Sequence, residues 1–171
     1  MNYGAIKNLD VANGPGCRVS LFVSGCRNHC KGCFQPETWD FNYGLKFTNE
    51  TLVELLEMLN DPHVAGLSIL GGDPFEPENQ DTVLDICKAV RAWYGDKKTI
   101  WMWTGYDFIE DSLMYHPIVK YIDVVVDGPF VEELKNLNLF YRGSSNQRVI
   151  DVKKSLEHRC AIRYKGTQKW V

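Results

Sequence analysis

Three cysteines, Cys26, Cys30 and Cys33, stand in C-x3-C-x2-C spacing directly after the apolar run Val19-Ser20-Leu21-Phe22-Val23-Ser24-Gly25. Such a run reads as a buried strand ending in a turn, and Gly25 lets the chain leave it sharply. The fold must therefore carry one tight loop with three thiols to the end of a core strand. Three thiolates can hold three irons of a cubane [4Fe–4S] cluster and would leave the fourth iron without a local protein ligand. The same thiols also admit a structural zinc site, which wants four ligands and usually draws on paired C-x2-C elements. No second C-x2-C pair exists, although His29 lies inside the loop and Cys17, Cys87 and Cys160 are remote candidates for a fourth ligand. An iron–sulfur centre suits the triplet better.

The rest of the chain alternates strand-like and helix-like segments. Residues 18–24 form a first strand. Residues 48–59 follow as a helix with a stripe of Leu52, Leu55, Leu56 and Leu59, and Thr51 and Glu54 have capping-box spacing near its start. A strand over 66–70 runs into Gly71-Gly72-Asp73-Pro74-Phe75, and a helix over about 79–94 gathers Val83, Leu84, Ile86, Cys87, Val90 and Trp93 largely on one side. A third strand, 99–103, ends at Thr104-Gly105-Tyr106. A short helix near 108–115 then leads to a strand over 122–126 and to Asp127-Gly128-Pro129-Phe130. Residues 149–152 read as another strand, and the tail from Lys153 is unassigned. This order implies an α/β fold whose parallel sheet has right-handed crossovers. Ligands gather at the C-terminal ends of such strands. The four unusual peptides each follow a strand, so they share one rim.

Composition narrows the function classes. A net charge of −3 over 171 residues argues against nucleic acid or an anionic membrane as the main partner. No apolar stretch approaches ~20 residues, and the N-terminus lacks a signal-peptide pattern, so a cytoplasmic protein of one domain is expected. In a reducing compartment the six cysteines are thiols rather than disulfides. Cys87, on the apolar side of a helix, is expected in the core. His29 is expected to face solvent, and Trp39, Tyr43, Trp101 and Trp103 to serve packing.

Together these motifs resemble the radical S-adenosylmethionine (SAM) enzymes and, within them, the glycyl-radical activases, closest to those serving anaerobic ribonucleotide reductase. The matching segments are Asn13-Gly14-Pro15-Gly16, residues 21–33, Gly71-Gly72-Asp73-Pro74, residues 100–106, residues 124–130 and Arg142-Gly143-Ser144-Ser145-Asn146-Gln147. They run in the family's order over residues 3–148. The resemblance implies a partial (βα) barrel of parallel strands, of radical SAM type, over residues 1–152, with 153–171 as a tail. It implies a [4Fe–4S] cluster on Cys26, Cys30 and Cys33, with S-adenosylmethionine chelating the open iron.

Cofactor contacts are expected at Gly32, Cys33, Phe34, Gly71, Gly72, Asp73, Thr104 and Asp127, with no catalytic side chain beyond cluster and cofactor. The Gly71-Gly72 carbonyls would take the methionine ammonium, with the Asp73 charge near it or spent on capping. Thr104 and Asp127 would point toward ribose or carboxylate, or be structural. Related activases often carry a basic residue after the Asp-Gly pair, where this chain has Pro129; Arg142 is a candidate replacement. The implied protein substrate is the large subunit of anaerobic ribonucleotide reductase. A reduced electron donor such as flavodoxin, and pairing as a homodimer, belong to the same expectation. Competing readings are an activase of another glycyl-radical enzyme, and a zinc adaptor or simple electron carrier.

Overall fold

A computed structural model describes residues 1–167. Seven strands form one open sheet: β1 (Asn2–Asp10), β2 (Cys17–Val23), β3 (Leu45–Lys46), β4 (Val64–Gly71), β5 (Thr99–Trp103), β6 (Val124–Asp127) and β7 (Arg148–Asp151), in the spatial order β3-β1-β2-β4-β5-β6-β7. Three α-helices accompany them among the described residues: α1 (Asn49–Leu59), α2 (Pro77–Tyr94) and α3 (Val152–His158). The central run β2-β4-β5-β6 is parallel, as the β-α-β pattern requires, and antiparallel pairs close both flanks. Side chains alternate across the strands. Val19, Leu21, Leu67, Ile69, Ile100, Met102 and Val125 join Leu55, Leu59, Val83, Ile86 and Val90 of the helices in the main core. Trp101, Val124, Val126 and Val149 form a smaller cluster on the other face, flanked by Trp103, Tyr141 and Tyr164. Among the described residues no helix is long and apolar enough to cross a membrane.

The structure corrects several local expectations. β1 precedes the strand read as first, and two register breaks, at Tyr3/Ala5 and Lys7/Asp10, disrupt the two-residue period by which a strand is recognised. The α1 cap lies three residues earlier than expected: Thr48 and Thr51 make the reciprocal bonds, and Glu54 takes no part. Residues 108–115 do not form a regular helix. Asp107 accepts from the Ile109 and Glu110 N–H groups, Ser112 is left-handed, and 3-10 turns follow at Leu113–Tyr115 and Pro117–Tyr121. β7 runs antiparallel to β6, and α3 occupies part of the stretch left unassigned.

Candidate iron–sulfur site

The cysteine loop leaves β2 where Gly25 adopts φ +98°, and a Cβ there would collide with the Phe41 ring. Gly25 N–H donates to Thr38 O (2.8 Å) and Cys26 N–H to Trp39 O (3.2 Å), which sets the first cysteine against the following turn. All three cysteines are half-buried. Each sulfur faces a hydrogen-bond donor: Asn28 Nδ2 at 3.7 Å from Cys26 Sγ, the Phe130 N–H toward Cys30, and the Gln35 N–H at 3.4 Å from Cys33 Sγ. Burial pushes the Cys26 thiol up to about 11, with the Asp73 and Glu76 charges acting in the same sense, and raises Cys30 as well. Metal binding at such a site releases protons.

The donor set suits a cubane. Among the described residues no three His, Cys, Asp or Glu side chains converge closely enough to hold a single metal ion. The remaining cysteines lie elsewhere: Cys17 at the far end of β2, Cys87 buried on α2 with its thiol pushed up to about 12 by burial, and Cys160 exposed beyond α3. Three thiols served by N–H donors are what a cluster with one open iron asks of a protein. His29 is exposed and stacks on Trp39, with centroids 4.7 Å apart.

The Gly71-Gly72-Asp73 peptide lies against this loop. Gly72 N–H donates to Val23 O (2.7 Å) and Asp73 N–H to Gly25 O (2.8 Å). A Cβ on Gly72 would stand 2.5 Å from Gly25 O, so only glycine allows the two backbones this close. The Gly72 carbonyl accepts no hydrogen bond among the described residues. Asp73 is buried, and its carboxylate joins three loops: it accepts from the Phe75 N–H (3.0 Å), the Thr104 hydroxyl (2.9 Å), the Gly105 N–H (2.8 Å) and Asn28 Nδ2 (3.3 Å). Thr104 is thereby turned onto Asp73.

Asp127 is buried too. It accepts from the Phe108 N–H (2.9 Å) and pairs with Arg148, which also reaches Asp107 at 2.7 Å. Phe34 is 58% exposed beside Cys33; it packs on Phe130 at 5.1 Å, against Gly143, and under the Lys135 ammonium. Gly32 faces Glu132. Arg142 donates to Gln147 O, while the Gln147 side chain accepts from Gly143 N–H and donates to Gly128 O (3.0 Å). Asn146 donates to Pro129 O (2.8 Å). The segment from Arg142 to Gln147 therefore clasps the loop after β6.

A family model described as a 4Fe-4S single cluster domain matches residues 12–150. The anaerobic ribonucleoside-triphosphate reductase-activating protein of Enterobacteria phage T4 is 41% identical over 149 residues, 87% of this chain and 93% of that relative. Its namesake from Escherichia coli K12 is 42% identical over 151 residues (87% and 97%), and that of Vibrio cholerae is 42% identical over 149 (86% and 96%). The chain belongs to this family of activating proteins.

The matched 4Fe-4S single cluster domain, residues 12–150, spans the cysteine loop and the peptides packed against it. Sequence reasoning missed four residues that organise the site: Arg27, Glu76, Asn79 and Arg148. Glu76 is fully buried and accepts from the Arg27 N–H (2.7 Å) while pairing with the Arg27 guanidinium, and Asn79 is buried with its amide on Ser24 O (3.0 Å) and Asp73 O (2.9 Å). For Glu76 and Asn79 the legible signal was polar residues at the start of a helix whose apolar stripe begins only later; for Arg27 and Arg148 no local pattern pointed to the role.

Proposed function

We propose that this protein is a radical SAM oxidoreductase that activates anaerobic ribonucleotide reductase by generating a glycyl radical on its large subunit. The loop of Cys26, Cys30 and Cys33 carries this reading: three ligands, no fourth cysteine in reach, in a chain of the activating-protein family. A reduced cubane with one open iron supplies an electron and a coordination position for reductive cleavage of S-adenosylmethionine, the source of the radical. The protein's own groups bind, orient and exclude water. The Gly72 carbonyl, free and directed by close packing on Gly25, is suited to accept from the methionine ammonium. Phe34 and the backbone at Gly32 and Cys33 offer a face for the adenine. Asp73 and Thr104, bonded to each other, act by holding the Gly71-Gly72 peptide, the cysteine loop and the turn after β5 in register. Asp127, neutralised by Arg148, does the same for the loop after β6. We read the parallel run β2-β4-β5-β6 with its α1 and α2 crossovers as the partial (βα) barrel of these enzymes.

The test is anaerobic. Reconstituted, reduced protein given S-adenosylmethionine should form 5′-deoxyadenosine, and Cys26→Ala should abolish it. A protein holding an intact cubane that never cleaves the cofactor would refute the reading in favour of an electron carrier.

A further inference from the structure

Glu76 occupies the N-cap position of α2, yet its side chain makes no bond to its own helix. A buried carboxylate there would ordinarily serve the free N–H groups of the first turn. Instead one oxygen takes the peptide N–H of Arg27 at 2.7 Å, and the other pairs with the Arg27 guanidinium, which continues to Glu78 and lies 4.5 Å over the Phe41 ring. Three residues on, Asn79 is equally buried and holds Ser24 O at 3.0 Å. Ser24 and Arg27 flank Gly25 and Cys26. The first turn of an eighteen-residue helix thus grips the cysteine loop on both sides of its first thiol.

We propose that Glu76 is a positioning residue for the cluster, fixing the Cys26 backbone through the Arg27 peptide N–H, with Asn79 closing the other side of the bracket. This rests on the reading of Cys26, Cys30 and Cys33 as cluster ligands. The peptide bond is the working contact: the Arg27 side chain is 53% exposed, so its ion pair is screened, whereas the Glu76 side chain is 0% exposed. Removing the carboxylate leaves the part-buried Arg27 N–H without its partner and frees the loop at its first cysteine.

The test compares Glu76→Ala, Glu76→Gln and Arg27→Ala in the full-length protein after anaerobic reconstitution, by chelator challenge and by the electron paramagnetic resonance spectrum of the reduced cluster. Glu76→Ala should surrender half its iron at a chelator concentration about tenfold or more below that needed for the wild type, with an altered spectrum. Glu76→Gln, which keeps an acceptor oxygen, should restore both, and Arg27→Ala, which keeps the peptide N–H, should stay near wild type. Iron retention by Glu76→Ala equal to wild type would overturn the inference, as would loss in Arg27→Ala matching that in Glu76→Ala. Should Glu76→Ala fail to fold, hydrogen exchange in the apo wild type decides: a protected Arg27 amide is expected, and a freely exchanging one refutes the bracket. A wild type that loads no cubane at all defeats the ligand reading itself, a distinguishable result.

Discussion

Asp73 shows how one buried side chain joins loops that the sequence keeps far apart. Burial pushes its carboxyl up to about 6, against the lowering effect of the Gly105 and Phe75 N–H groups and the Thr104 hydroxyl. Because the folded value lies above the unfolded one, its contribution to stability is full below the ordinary carboxyl value of 3.8 and is lost as pH rises through about 6. Between roughly pH 4.5 and 7.5 the apo wild type should therefore lose about 2 kcal/mol of stability relative to Asp73→Asn over the same range. Urea unfolding at each pH measures this, and parallel profiles for the two proteins would contradict it. The cysteine triplet was legible as a candidate site because its spacing is local and its chemistry is carried by residue type. Asp73, Glu76 and Asn79 were not legible as braces: their partners lie 31, 49 and 55 positions away, a separation that no local pattern encodes.

At the scale of elements, the parallel strands are also tied at the end opposite the cysteine loop. Arg18, at the start of β2, is fully buried; it donates to Ser68 Oγ (2.7 Å) and Leu67 O (2.7 Å) on β4 and to Thr99 Oγ1 (2.9 Å) and Thr99 O (3.0 Å) on β5, with Trp101 stacked nearby. No carboxylate pairs with it among the described residues, and burial pushes its guanidinium down to about 10. Arg18→Met should cost at least about 3 kcal/mol, since several buried acceptors lose their donor. Denaturant unfolding checks this, and a loss below about 1 kcal/mol would mean that water replaces the guanidinium. The parallel strands themselves were readable as short apolar runs. β1 was hidden by its bulges, the cap of α1 was misplaced because two threonines three apart serve as well as Thr and Glu, and the helix expected near 108–115 yielded to Asp107 turns and Pro117.

For the molecule as a whole, sheet order turns sequence separation into proximity. Placing β2, β4, β5 and β6 side by side brings the cysteine loop, the Gly71-Gly72-Asp73 peptide, Thr104-Gly105 and the loop after β6 to one rim. Asp73 and Asn28 bond across the first three, and Phe34 against Phe130 joins the fourth. On the function proposed above, this rim, once loaded and reduced, makes a radical on a partner protein. The most direct measurement mixes reduced, cluster-loaded protein with S-adenosylmethionine and the large subunit of anaerobic ribonucleotide reductase under strict anaerobiosis, and reads electron paramagnetic resonance. A glycyl radical should form on the reductase, require the cofactor and be absent with Cys26→Ala. A loaded, reduced wild-type protein that leaves the reductase without a radical, or a radical that persists with Cys26→Ala, would contradict it.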